Sequence, residues 1–310
     1  MKKLFLLLLP FILFAITPKK ELTATSGIKD IALCKDTIIA GSEDGKVTIY
    51  NLQSFQVTKT FQLPKIKDFM GDLIDAPIGS VDCLNKSYLV VSDSGIGGYG
   101  DVWLIKENNL TKVFSAKDKL SIIKAKFINE SKILLGLLSN EAYLFDLTKK
   151  KFLYKKQLTP SKFSDFALNK QRDKAVFVSE SGKADLIETY DGKLLQSIDM
   201  NLDMIFQAAF YKNYIATASK DRSATIYNIT NQKKRKITSH FFVYNVALND
   251  KYIALMMDEK NNITIFDLDS LEKKYTLKGH SKMISKLIFF DKNRLISAGK
   301  DGKIYFWELP

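Results

Sequence analysis

The stretch LISAGKDGKIYFWEL, residues 295–309, decides the fold of this 310-residue chain. It reads as an apolar strand, a polar turn that contains Asp and Gly, and a second strand of alternating character. The second strand, KIYFWEL, has six counterparts upstream in the sequence. These are KVTIYNL (46–52), DVWLIKE (101–107), EAYLFDL (141–147), KADLIET (183–189), SATIYNI (223–229) and NITIFDL (262–268).

The seven segments recur at a nearly constant interval. Their fifth residues lie at positions 50, 105, 145, 187, 227, 266 and 307, so five of the six intervals are 39 to 42 residues. An apolar hairpin precedes each segment, as in SVDCLNKSYLVVS at 80–92. Four short strands in about 40 residues are typical of a propeller blade. The sequence therefore predicts an all-β chain, a seven-bladed β-propeller of four-stranded antiparallel blades, as a single domain over residues 21–310.

The two ends of the repeat array predict how the ring closes. The chain ends at the third strand of the last repeat, so that blade lacks a fourth strand at its C-terminal end. A β-like piece, Glu21 to Thr25, precedes the first repeat. We expect this N-terminal strand to pair with the last blade, which closes the ring and removes an exposed sheet edge.

The N-terminus reads as an export signal. Lys2 and Lys3 precede an apolar run from Leu4 to Ile16, which is shorter than the roughly 20 residues of a membrane span and fits a secretory signal. We therefore expect a signal peptide over residues 1–17 and a periplasmic protein. An uncleaved signal that anchors the protein to the inner membrane is the alternative.

The chain is strongly basic, with 47 Lys and Arg against 34 Asp and Glu and a formal net charge of +13. An exported protein would not meet nucleic acid, so the basic charge predicts a contact with an anionic membrane surface or with an acidic protein. Basic runs at 149–151, 233–236 and 273–274 each follow a third strand. Such loops either keep the protein soluble or make a peripheral contact with anionic lipid. We expect a monomer.

The last repeat also carries Gly279-His280 before its first strand, and it resembles the repeats of the WD-repeat β-propellers. In that family a His, a Ser or Thr, an Asp and a Trp form a hydrogen-bonded chain within a blade. The resemblance implies this role for four residues: His280, Ser297, Asp301 and Trp307. The other histidine, His240, lies at nearly the same distance before Phe266, so we expect it in the equivalent place one blade earlier.

As a whole, the exported, Lys-rich chain is also similar to the small accessory propellers encoded with some bacterial periplasmic nitrate reductases. That similarity implies a role in maturation of the reductase or in electron supply to it.

The sequence argues against a catalytic site. With only two His and two Cys, a Cys/His zinc cluster is excluded, and both histidines have structural places, so no base remains for a Ser-His-Asp or Cys-His site. Residues 95–100 match G-x-G-x-x-G, but a strand follows instead of a helix, so we reject a dinucleotide site. We expect no catalytic residue, no cofactor and no metal ligand, although carboxylate chemistry and a calcium site among the Asp residues stay open.

Blade two carries two insertions, 64–80 before its first strand and a long turn before Asp101. Both kinds of connection open on the same face of a propeller. Exposed apolar groups with a charged rim indicate a partner contact, and a cap that folds onto the ring is an equal alternative. The candidate residues are Phe69, Met70, Leu73, Ile74 and Tyr99.

The two cysteines, Cys34 and Cys83, lie near equivalent positions of blades one and two, one residue out of phase. Their side chains therefore point to opposite sheet faces, and opposite faces of neighbouring blades can meet. A disulfide is one alternative in an oxidising compartment, and two small buried core residues are the other.

Together these features predict a non-enzymatic scaffold that binds another periplasmic protein. The main rival is an enzyme or small-ligand receptor that uses the central channel, and it predicts like-charged or aromatic side chains at the channel mouth. An envelope-assembly scaffold is a third interpretation.

Overall fold

The computed structural model describes residues 15–310, so most of the predicted signal lies outside the described residues. Between Ala15 and Pro310 the chain forms 31 strands, numbered β1 to β31 along the chain, and one short 3-10 helix, Ala116–Asp118. Seven sheets of consecutive antiparallel strands surround a central axis. The predicted seven-bladed β-propeller is confirmed. None of the helical structure in this part of the chain is long and apolar enough to span a membrane.

The inner half of each blade is a hairpin of two strands. The first, innermost strands are β3 (Ile28–Leu33), β9 (Ile78–Leu84), β13 (Ile122–Asn129), β17 (Phe163–Leu168), β21 (Ile205–Tyr211), β25 (Asn245–Leu248) and β29 (Ile284–Phe289). The second strands are β4 (Thr37–Ser42), β10 (Ser87–Asp93), β14 (Lys132–Leu137), β18 (Lys174–Ser179), β22 (Tyr214–Ser219), β26 (Tyr252–Met256) and β30 (Arg294–Gly299).

The outer half completes each sheet. The third strands are β5 (Lys46–Asn51), β11 (Gly100–Lys106), β15 (Glu141–Asp146), β19 (Lys183–Glu188), β23 (Ser223–Asn228), β27 (Ile263–Asp267) and β31 (Lys303–Glu308). The outer strands of blades one to six are β6 (Val57–Gln62), β12 (Asn109–Phe114), β16 (Lys151–Gln157), β20 (Leu194–Asp199), β24 (Lys234–Thr238) and β28 (Lys273–Leu277).

The hydrophobic core lies between the blades. Ile39 and Val47 of blade one, for example, pack in one cluster with Val81 and Ile105 of blade two. Because neighbouring blades cover both faces of each sheet, the second and third strands read as almost continuous buried runs. The outer strands face solvent and are largely exposed, as in β6.

The ring closes through the N-terminal strand, as predicted. Strand β2 (Lys20–Thr23) pairs antiparallel with β31 and supplies the fourth strand of blade seven. The backbone N–H of Ala24 extends this pairing by donating to the Gly302 carbonyl over 2.8 Å. Leu22, buried opposite Ile304, anchors the strand in the core, so the two chain ends are held by both backbone and side-chain contacts.

An additional strand, β1 (Ala15–Ile16), lies along the edge of blade six. It runs parallel to β28, with Ile16 opposite Leu277, and makes that sheet five-stranded. Ile16 also packs against the core cluster that contains Leu277. The sequence did not predict this pairing, because both residues of β1 belong to the apolar run that was assigned to the signal.

The two insertions of blade two form a raised structure on one face of the ring. Residues 64–77 contain a two-stranded hairpin of β7 (Ile66–Lys67) and β8 (Leu73–Ile74). The turn 94–99 lies against it, and Gly95, at φ +75°, approaches the Lys67 carbonyl so closely that a Cβ there would lie 2.0 Å from its oxygen. The glycine therefore permits the contact between the two insertions.

Candidate functional site

A hydrogen-bonded chain crosses blade seven. The indole Nε1–H of Trp307 donates to Ser297 Oγ over 2.9 Å, and Ser297 Oγ lies 2.7 Å from His280 Nε2. The other ring nitrogen, His280 Nδ1, lies 2.9 Å from Asp301 Oδ2, which also accepts the backbone N–H of Ser281. Both ring nitrogens are thus occupied, so this histidine holds the blade together and has no free nitrogen to act as a base.

The carboxylate of Asp301 carries a negative charge at the end of this hydrogen-bonded chain. Burial disfavours its ionised form, but the hydrogen bonds from His280 and from the backbone N–H groups of Ser281 and Lys303 outweigh burial and hold the pKa of Asp301 below its usual value. The carboxylate therefore stays charged at neutral pH as the acceptor at the end of the chain.

Blade five builds a similar connection without histidine. Asn201 Nδ2 donates to Asp221 Oδ1 over 3.1 Å, and Thr217 Oγ1 donates to Asn201 Oδ1 over 2.6 Å. Asparagine offers a donor and an acceptor, so it bridges the second strand and the turn much as His280 does. Sequence reasoning missed Asn201, although it precedes Asp221 by nearly the same spacing that separates His280 from Asp301.

The expectation for His240 was wrong. This side chain is exposed and forms no hydrogen bond with any residue between Ala15 and Pro310. The turn of blade six has Lys260 where blade seven has Asp301, so no carboxylate is available at that position for the ring. Ser239 Oγ instead donates to the Met257 carbonyl over 3.0 Å and ties the incoming loop to the second strand.

A belt of polar side chains surrounds the central channel. It occupies one register of the innermost strands, and the belt residues are Asp30, Ser80, Lys124, Asp165, Gln207, Asn245 and Lys286. Sequence reasoning missed the belt. The sequence feature that could have revealed it is a polar residue at the same place in each first strand.

Several members of the belt connect their blade to the next one. Asp30 Oδ2 accepts the backbone N–H of Val81 over 3.0 Å, and Asp165 Oδ2 accepts that of Ala208 over 3.1 Å. Lys124 forms a buried ion pair with Asp165 across blades three and four. The attraction of Asp165 outweighs the cost of burial, so the pKa of Lys124 is raised and that of Asp165 is lowered.

One end of the channel is basic. A cavity of about 350 Å³ opens there, between the belt and the turns that join first and second strands. Its charged and polar lining includes Asp82, Lys124, Lys126, Lys170, Arg172 and Lys286. Five cations and one carboxylate thus border this cavity.

Aromatic side chains gather toward the other end. Phe206 precedes the belt residue Gln207 in β21, whereas the cavity is lined by residues that follow it. The ring of Phe206 stacks on Tyr244 with centroids 4.9 Å apart, and Phe241 and Phe242 pack beside them. Of the two features that the channel interpretation predicted, the like charges line the basic end of the channel, whereas Tyr244 packs against a core cluster between blades.

The blade-two insertions expose an apolar surface. Phe69 is 98% exposed, Met70 80% and Leu73 65%, and Ile74 is exposed beside them. This exposure is incompatible with a cap in which these side chains would pack onto the ring. Tyr99 is only half-buried, and Ile96, which sequence reasoning missed, is 60% exposed in the neighbouring turn. We call Phe69, Met70, Leu73, Ile74 and Ile96 the hairpin surface.

The side chain of Asp68 fixes the backbone at the tip of this hairpin. Asp68 Oδ1 accepts the backbone N–H groups of Met70 and Asp72, each over 2.9 Å. Asp75 at the base of the hairpin and Asp93 at the end of β10 add further negative charge, against two lysines in the hairpin. Within residues 15–310 no group of three or more His, Cys, Asp or Glu side chains is arranged to hold a metal ion.

The last repeat of the chain matches a known family model. Residues 271–308 match the family model "WD domain, G-beta repeat". The match covers β28 and the whole C-terminal part of blade seven, including the chain from His280 to Trp307. No curated protein matches the chain. The WD-repeat match and the seven blades together support a resemblance to the WD-repeat propeller family. Members of that family are commonly protein-interaction scaffolds and typically not enzymes.

The two cysteines meet between blades one and two. Cys34, just after β3, is disulfide-bonded to Cys83 of β9, with Cα atoms 5.9 Å apart. The bond joins the innermost strands of neighbouring blades next to a groove that Phe61 and Tyr88 also line.

The basic runs lie on the face opposite the hairpin surface. Lys149 and Lys150 form the turn between β15 and β16, and Lys233 occupies the corresponding turn of blade five. The basic residues 234–236 and 273–274 lie at the start of the outer strands β24 and β28, directly after these turns. Because the strands of a blade alternate in direction, these turns and the insertions of blade two open at opposite ends of the sheets.

Proposed function

We propose that this chain is a non-enzymatic protein-interaction scaffold that docks a partner on the hairpin surface. The proposal rests mainly on the high exposure of Phe69 and Met70 at the tip of the hairpin. The Asp68 side chain fixes the backbone of this tip. Exposed apolar groups of this kind are typical of interaction sites, and large side chains near the centre of an interface supply most of its binding energy.

The charges around the hairpin define the partner's chemistry. Asp68, Asp72, Asp75 and Asp93 lie in or next to the two insertions that carry the apolar groups, and Lys65 Nζ lies 3.9 Å from Asp75 Oδ1. This acidic rim stands out on a chain whose net charge is +13. The partner surface that fits it is an apolar pocket bordered by Lys or Arg, since complementary charges favour encounter and orientation.

The proposal places the scaffold in the periplasm, on the basis of Lys2, Lys3 and the apolar run that follows them. The similarity to accessory propellers of periplasmic nitrate reductases makes a component of that enzyme the first partner to assay. An inner-membrane anchor formed by the uncleaved run is the alternative location.

A binding assay with a matched control tests the docking surface. Phe69→Ser combined with Leu73→Ser removes the apolar anchors, and Leu194→Ser changes another solvent-exposed leucine, on the outer strand of blade four. Tagged proteins retain partners from a periplasmic extract, and purified nitrate reductase components are then titrated directly. We expect the double variant to lose one partner that the Leu194→Ser protein keeps, with the purified pair binding at least tenfold more weakly. Equal retention by all three proteins would refute the hairpin surface as the docking site.

A further inference from the structure

The cations at the basic end of the channel are unequally neutralised. Lys124 is paired with Asp165, and Arg172 and Lys126 share Asp82, with Arg172 Nη1 2.7 Å and Lys126 Nζ 3.4 Å from its carboxylate. Those contacts account for three of the five cations that line the cavity.

The two remaining cations, Lys286 and Lys170, have no such partner. Within residues 15–310 no hydrogen bond or ion pair within 4.0 Å involves the ammonium group of either side chain. Lys170 is exposed at the rim, but Lys286 lies in the belt, enclosed by the inner strands and accessible only in part. An enclosed ammonium group without a counter-ion is costly, because burial removes its hydration.

We propose that this cavity is a binding site for a small anionic metabolite that carries phosphate or carboxylate groups, held by Lys286, Lys126 and Arg172, with Lys170 at the rim. The volume of about 350 Å³ lies at the lower end of the range for small-molecule sites, which is roughly 300–1,000 Å³. Arg172 and the lysines supply donors for oxyanions, and Leu168, Ala209 and Leu287 line the cavity beside them. This site is independent of the hairpin surface, which lies on the opposite face.

The titration of Lys286 agrees with this geometry. Burial and the positive charges of Lys124 and Lys126 outweigh the attraction of Asp165 and Asp30, and lower the pKa of Lys286 to about 8. A bound anion would reverse that balance and favour the charged amine. Anion binding should therefore be coupled to proton uptake by Lys286, and affinity should fall as the pH rises through about 8.

The first test measures anion affinity by calorimetry on the full chain. Sulfate keeps a constant charge across this pH range, so it reports the titration of the protein, whereas pyrophosphate and citrate distinguish phosphate from carboxylate ligands. Lys286→Met should weaken binding about tenfold or more, as expected for loss of one charge-assisted hydrogen bond. It should also abolish the fall in sulfate affinity between pH 7 and 9.

Two further variants separate a local effect from misfolding or general charge. Lys170→Met removes an exposed rim cation and should weaken binding several-fold with an unchanged melting temperature. Lys233→Met removes the same charge from an outer turn and should leave affinity unaltered. Dissociation constants above about 1 mM for all three anions, or equal affinities in all variants, would overturn the proposal.

A reactivity measurement gives an independent readout. At pH 8 an amine with a pKa near 8 is half deprotonated, whereas ordinary lysines, with pKa values of about 10.4, are almost fully protonated. Pyridoxal phosphate followed by borohydride should label Lys286 first, and pyrophosphate should protect it. Labelling spread over exposed lysines without protection would contradict the site.

Discussion

Asp82 of blade two and Arg172 of blade four form an ion pair across the mouth of the channel, with Oδ2 and Nη1 2.7 Å apart. The guanidinium also donates to the backbone carbonyls of Phe127 and Cys83, so one side chain joins three successive blades. Burial opposes ionisation of Asp82, but the charges of Lys126 and Arg172 outweigh it and lower its pKa.

Replacing Arg172 should therefore destabilise the ring. Arg172→Ala leaves Asp82 buried with a single, longer ion pair to Lys126, and we expect a loss of about 3 kcal/mol in the free energy of unfolding. Urea denaturation measures this loss. Arg222→Ala is the matched control, because that arginine is exposed and should change stability by less than about 0.5 kcal/mol. Equal effects of the two substitutions would contradict a structural role for Arg172.

The two histidines should differ sharply in their effect on stability. His280→Ala leaves the buried groups of Ser297 and Asp301 without their partner, so we expect a loss of about 3 kcal/mol. His240→Ala removes an exposed ring without hydrogen bonds to residues 15–310 and should be nearly neutral. Thermal melts of both variants compare them directly, and a comparable loss in each would refute the assignment.

Acid should weaken blade seven through Asp301. Because the pKa of this group is lower in the folded than in the unfolded chain, its stabilisation is complete above the ordinary Asp pKa of about 3.9 and is lost as the pH falls through the lowered value. Stability measured from pH 6 to pH 3 should therefore decline less steeply in His280→Ala, which lacks the main stabilising bond. Parallel profiles would show that other carboxylates dominate the acid response.

Ring closure depends on β2. Deleting residues 20–27 removes the outer strand of blade seven and should lower the melting temperature sharply. Leu22→Ala is a milder probe that creates a cavity beside Ile304, with an expected loss of about 2–3 kcal/mol. Thr23→Ala, at an exposed position of the same strand, is its control. A melting curve unchanged by the deletion would refute this closure.

The disulfide between Cys34 and Cys83 predicts a simple chemical result. Protein unfolded without reductant should show no free thiol, and reduction should release two per chain. Because the bond closes a loop of 49 residues, its removal should cost roughly 4 kcal/mol. The double substitution of both cysteines by Ala measures that cost. Two free thiols in freshly isolated protein would contradict the bond and weaken the case for export.

Sequence reasoning was most successful where the signal repeats along the chain. The positions of Tyr50, Phe266 and Trp307 within one periodic pattern define the blades, because each blade must present the same alternation to its neighbours. It failed for His240, since spacing alone does not show that the carboxylate partner is absent. It also failed for β1, whose two residues carry no pattern that distinguishes an edge strand from the end of a signal.

The sequence by itself determined the number of blades, their four-stranded form and the closure by the N-terminal strand, because strand periodicity and turn residues are local properties. Only the tertiary structure decided that Lys286 faces a cavity without a counter-ion and that Asp82 meets Arg172. Those relationships join residues from different blades, about 40 or more positions apart, and they exist only because seven first strands converge on one axis.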